Sequence, residues 1–123
     1  MTVGATKEQM VFLSVVLNEL RKDENSFDLL SRHGTFFFVM EEDNDLCVEW
    51  CFHNMVIAFD IEEKVINSSW TLSSTREAGN YSIGGFFHDD GINKVVSRIY
   101  EILREQKDGL DYRGENEQRL DMD

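Results

Sequence analysis

From Leu46 to Phe52 the chain alternates without a break, with Leu46, Val48, Trp50 and Phe52 on one parity and Cys47, Glu49 and Cys51 on the other. A period of two sends successive side chains to opposite faces of an extended strand, so this segment calls for an antiparallel sheet with one face covered and one open. Thr35-Phe36-Phe37-Phe38-Val39-Met40 before it and Met55-Val56-Ile57-Ala58-Phe59-Asp60 after it are equally rich in strand formers, and short polar turns separate them. A fourth strand is expected at Val65–Trp70. A fifth and weaker one is expected at Tyr81–Phe87, where the paired Gly84 and Gly85 suggest a bulge. Residues 71–80, rich in Ser, Thr, Gly and Asn, read as a loop.

The period changes at both ends of this β region. Thr6-Lys7-Glu8-Gln9 has the pattern of a capping box, and behind it Met10, Leu13, Leu17 and Leu20 recur at helical spacing. Phe12, Val15 and Val16 widen the stripe, which predicts a core-facing helix over 7–22. Ser26–Leu30 adds a short helical turn stopped near Gly34. After His88-Asp89-Asp90-Gly91, which reads as an N-cap, Ile92, Val95, Val96, Ile99, Ile102 and Leu103 form an apolar stripe that predicts a helix over 91–106.

Helix, antiparallel strands, helix is the order of an α+β domain: a meander of four to five strands, with both helices expected on one sheet face. At 123 residues there is room for one domain with a substantial core, assigned to 1–106. Residues 107–123 are expected to be an acidic, mobile tail. No apolar run approaches the ~20 residues of a membrane span, and the N-terminus lacks the pattern of a secretory leader, so a cytoplasmic protein is expected. Cys47 and Cys51, four apart on one strand, would lie ~13 Å apart, too far for a disulfide.

Charge is distributed unevenly. The formal net charge is −12, and between Arg32 and Lys64 there is no Lys or Arg at all, against eight carboxylates. A rigid field of one sign attracts basic surfaces and repels nucleic acid and anionic membrane. In a sequential meander alternate turns lie at the same end of the sheet. The turns at 41–45 and 60–64 and the segment after Phe87 would then bring nine carboxylates to one rim: Glu41, Glu42, Asp43, Asp45, Asp60, Glu62, Glu63, Asp89 and Asp90. These are the expected partner-binding residues.

Catalytic patterns are weak by comparison. Cys47, Glu49, Cys51 and His53 share a strand face, but an extended strand separates the first and last by ~20 Å, too far for one zinc ion. Asp43-Asn44-Asp45 lacks the Gly and the downstream Glu of a calcium loop. Asp60-Ile61-Glu62-Glu63-Lys64 carries the acid-x-Lys triplet of divalent-metal nucleases, yet falls in an expected turn with no basic groove nearby. His33 and His88 read as capping or surface residues. Trp50 and Trp70 fall at core-compatible positions, either being an aromatic anchor if its face binds. No catalytic residue, metal or cofactor is assigned.

The expectation is therefore binding and not catalysis: a small acidic inhibitor that covers the cationic surface of a nuclease or other nucleic-acid-handling protein. Toxin-immunity proteins and phage counter-defence proteins, including anti-CRISPR nucleic-acid mimics, work by this physics, an analogy of charge and size alone. In this picture the carboxylates replace phosphates, and Trp50 or Phe52 adds short-range specificity. The alternative is a secretion-type chaperone that binds an extended client segment through an exposed apolar surface and forms a homodimer. A small metal-dependent enzyme, with an ion among Asp43, Asp45, Asp60 and Glu62, is a third class.

Overall fold

The computed structural model describes residues 4–74 and 82–106, so the tail from Lys107 and the segment 75–81 lie outside the described residues. Five antiparallel strands follow one another in space as they do in sequence: β1 (Thr35–Met40), β2 (Leu46–Cys51), β3 (Met55–Ile61), β4 (Ser69–Ser74) and β5 (Ser82–Phe86). Helices α1 (Lys7–Arg21) and α2 (Glu24–His33) precede the sheet, and α3 (Phe87–Asp90) and α4 (Ile92–Glu105) follow it. This is the expected α+β meander, with all five strands present.

Burial follows the alternation read from the sequence. Leu46, Val48 and Trp50 of β2, Met55, Ile57, Phe59 and Ile61 of β3, and Trp70 and Leu72 of β4 are buried together with Leu13, Val16, Leu20, Leu30, Val95, Ile99 and Leu103. The residues between them on β2 and β3 are half-buried. Phe59 stands edge-on to both Trp50 and Phe87, at 5.4 Å in each case, which joins the sheet to the α3 turn.

Thr6 and Gln9 form the capping box in both directions, with Gln9 N–H donating to Thr6 Oγ1 at 3.1 Å and Thr6 N–H to Gln9 Oε1 at 2.8 Å. The buried face of α1 is rotated from the one expected. Gln9, Leu13, Val16 and Leu20 are buried, whereas Met10 and Val15 are exposed. The difference arises because Gln9 finds polar partners inside the fold, so a polar residue takes a place on the stripe.

Four further expectations need correction. The turn expected at Ser26–Leu30 is a ten-residue helix, because Asp23 caps it through Ser26 N–H at 3.2 Å and Leu30 is buried. Val65–Asn67 is a tight 3-10 turn and β4 begins only at Ser69, where the Ser68 hydroxyl accepts Glu62 N–H. There is no bulge at Gly84 and Gly85, since β4 and β5 pair in continuous register from Ser69–Phe86 to Ser73–Ser82. A Cβ on Gly84 would lie 2.4 Å from the Trp70 carbonyl oxygen, so close strand approach explains the glycine. Finally, His88–Asp90 belong to the α3 turn and Gly91 is the residue that breaks it from α4, with φ of 85° and no side-chain cap. The last helix accordingly runs from Ile92 to Glu105.

No helix among the described residues is long and apolar enough to cross a membrane.

Candidate functional site: an acidic sheet face

The register of the sheet decides where the carboxylates stand. Leu46 pairs with Ile61 and Cys47 with Asp60, so one further step sets Asp45 opposite Glu62. Leu46 and Ile61 are buried, and Asp45, Cys47, Asp60 and Glu62 therefore share the opposite face. Glu41 joins the same row, since its N–H donates to the Asp45 carbonyl at 2.8 Å. Asp60 and Cys47 form the next row, and Glu49 stands one row below them, opposite Ala58 on β3 and Phe37 on β1. The acids thus occupy the end of a sheet face as well as its turns.

Carboxylate oxygens of Asp45, Asp60 and Glu62 all lie within 4.8 Å of one another. Partial burial, followed by the neighbouring Asp45 carboxylate and then Glu62 and Glu41, pushes the Asp60 carboxyl up to about 6. Asp60 Oδ1 is buried with no hydrogen-bond partner among the described residues. None of the eight carboxylates between Glu41 and Glu63 forms an ion pair with a described residue. Three carboxylates at this spacing are also a donor set suited to a hard divalent cation. Of the four residues considered for such an ion, the structure gathers Asp45, Asp60 and Glu62, while the Asp43 carboxylate accepts the Asp45 N–H at 3.3 Å and shapes the turn.

Glu49 lies between the two thiols, with Cys47 Sγ donating to one carboxylate oxygen at 3.6 Å and Cys51 Sγ to the other at 3.8 Å. Burial first, then the charge of Glu49, pushes the Cys47 thiol up to about 12. Both cysteines are thiols outside any disulfide, as expected, and Cys47 is held protonated at neutral pH and poorly nucleophilic.

The remaining rim residues are placed differently. Glu42 and Glu63 are exposed beside the turns. Asp89 is paired with His88 Nδ1 at 3.1 Å, beyond β5 and two strands away from Asp60. Asp90 lines a cavity of about 340 Å³ with Trp70, Ile83, Lys94 and Arg98, where cations accompany it. The carboxylates that gather are therefore those of the β1–β2 and β3–β4 turns. Trp50 and Phe52 are 4 % and 5 % exposed and belong to the core, which removes them as contacts for a partner. Exposed apolar residues on the acidic face are instead Val39, Phe37 and Phe86, on the rows of Asp60 and Glu49 or at their ends.

No family model, curated protein or solved structure matches this chain.

Proposed function

We propose that this chain is a binding protein of the inhibitor type, which docks its acidic sheet face on the cationic surface of a nucleic-acid-handling protein. The observation that carries this is the row of Glu41, Asp45 and Glu62 above Asp60, whose carboxyl is pushed up to about 6 by partial burial and then by these neighbours, with no ion-paired cation among the described residues. Such crowding costs stability in the free protein, and a partner's Lys and Arg side chains would relieve it. These carboxylates stand on or directly beside paired strands, so binding has to order their side chains but not the backbone that carries them.

This picture takes both long helices to cover the face of Leu46 and Ile61. The face of Cys47, Glu49 and Asp60 then stays open to a partner. Val39, Phe37 and Phe86 would supply desolvated contacts around the charges, the arrangement in which interface anchors work best. The role is binding without catalysis, in the cytoplasm, with no cofactor, and directed at a basic protein and not at nucleic acid itself.

The test is capture of partners from native host lysate at low and high salt, with wild type and with the double charge reversal Asp45→Lys/Glu62→Lys. A basic nuclease or DNA-handling protein that is released by salt and lost with the reversal is the expected result. A partner retained by the reversed variant would overturn the acidic face as the contact.

The secretion-type chaperone has one observation in its favour, the exposure of Phe36, Phe37, Phe38 and Val39 on β1. It predicts an extended client segment bound with little dependence on salt.

A further inference from the structure

β1 is an edge strand that nothing described covers. Phe36, Phe37, Phe38 and Val39 are 44 %, 53 %, 64 % and 57 % exposed, and all residues from Thr35 to Met40 are uncharged. Its neighbour β2 pairs along its whole length, but the other edge of β1 has no strand among the described residues. Monomeric proteins blunt such edges with Lys, Pro or a bulge, and this one has none of them.

The open backbone groups can be named. Glu41 N–H donates to the Asp45 carbonyl, so Glu41 and Asp45 are a directly bonded pair, and bonded pairs recur at every second residue. Thr35, Phe37 and Val39 therefore spend their N–H and C=O groups on β2. Phe36, Phe38 and Met40 turn theirs to the open edge.

We propose that a second copy of this chain pairs with this edge, β1 antiparallel to β1 about a two-fold axis at Phe38, to make one continuous ten-stranded sheet. In that register Phe38 faces the partner's Phe38, and Phe36 faces the partner's Met40. All three residues with open backbone groups are then satisfied on both chains. Phe37 falls opposite the partner's Val39 on the other face, so both faces of the seam are apolar.

Charge selects a second copy and its direction. Arg21 stands at the start of β1, where it lines a groove of about 250 Å³ with Gly34, Phe36 and Trp50, while Arg32 is already paired with Asp28 at 3.0 Å. Glu41, Glu42 and Asp43 follow its end. Antiparallel pairing brings the acidic end of each chain to the basic end of the other, with Glu42 facing the partner's Gly34 beside that groove. Parallel pairing would set acid against acid. The four exposed side chains offer on the order of 400 Å² of apolar surface, counting ~200 Å² for a whole aromatic side chain. That is about half of the ~800 Å² per partner in a standard interface, so the seam is a small one that relies on the strand backbone bonds as well as on its side chains.

The seam leaves Asp45, Asp60 and Glu62 uncovered, one and two strands inward, and a two-fold normal to the sheet turns both acidic faces to the same side. The dimer does not depend on the acidic-face proposal, because its test reads mass and needs no other protein.

Light scattering and sedimentation of the full chain across the micromolar range should give a dimer. Phe38→Lys, which sets two ammonium groups against each other at the axis, should weaken it roughly tenfold or more with circular dichroism unchanged. In a Cys47→Ser/Cys51→Ser background, Phe38→Cys should be linked into dimers by a short bismaleimide, and Val15→Cys on exposed α1 should not. A monomer at every concentration would overturn the proposal. So would a dimer that neither Phe38→Lys weakens nor Phe38→Cys traps, since the seam would then lie elsewhere. Should Phe38→Lys fail to fold, the cross-link alone decides.

Discussion

Gln9 Nε2 donates to the carbonyl oxygen of Ile61 at 2.9 Å, across 52 residues of sequence, and at the same distance to the carbonyl of Asn44. A single buried amide thus fastens the first turn of α1 to both turns that carry the acidic face. Asn44, whose φ is 67°, sits in the turn that this bond holds. Gln9→Leu would leave two carbonyls without their donor and remove half of the capping box. A loss of about 2–3 kcal/mol is expected. Urea unfolding should show it as a lower midpoint with an unchanged slope.

Asp60 bears on stability in the opposite sense. Its carboxyl is raised in the fold to about 6, above the ordinary ~3.9, so the folded state holds the proton more tightly than the unfolded chain. The stability this confers is fully present below about pH 4 and is lost as the pH rises through about 6. Asp60→Asn should therefore stabilise the protein at pH 7. The full shift would correspond to roughly 3 kcal/mol, and solvent screening at this partly exposed site brings it to about 1 kcal/mol. Thermal melts of both proteins should separate at pH 7 and converge near pH 4; a variant no more stable at pH 7 would show that the carboxylates do not crowd one another.

Cys47 should resist thiol reagents. With its thiol pushed up to about 12, first by burial and then by Glu49, almost none is thiolate at pH 8. In a Cys51→Ser background, disulfide exchange with an aromatic disulfide should run roughly a hundredfold slower in the native protein than in urea. Glu49→Gln should restore part of the rate, because one charge opposing ionisation is removed.

Tyr100 fixes the helix layer. Its hydroxyl donates to the Leu20 carbonyl at 2.6 Å, joining α4 to the last turn of α1, and burial raises the phenol above its usual range. Tyr100→Phe should cost about 1–2 kcal/mol by leaving the carbonyl unpaired, with little change in structure. An ultraviolet titration of the wild type should show this tyrosine ionising only with unfolding.

Local periodicity determined a great deal here. The alternation of Leu46, Val48, Trp50 and Phe52 names the buried face, the spacing of Ile92 to Leu103 names the last helix, and polar turns between short strands point to a meander. These features are legible because each depends on which side of one element a residue faces, and that is set by backbone geometry within a few residues. The eight carboxylates in the stretch between Arg32 and Lys64, which has no Lys or Arg, are visible in the same way. What the tertiary structure alone decided is set by register and coverage. Asp45 meets Asp60 and Glu62 only because Leu46 pairs with Ile61, and a slip of one residue between the two strands would have put Asp45 on the opposite face from Asp60 and Glu62. Gln9 is buried because two carbonyls from distant turns happen to point at it, which no helical pattern records. Phe36 and Phe38 share a parity with the core yet lie exposed, since β1 is at the sheet edge and edges are defined by the neighbours a strand lacks. Contacts between residues far apart in the chain depend on three-dimensional placement, and that is the part of the site a one-dimensional pattern does not carry.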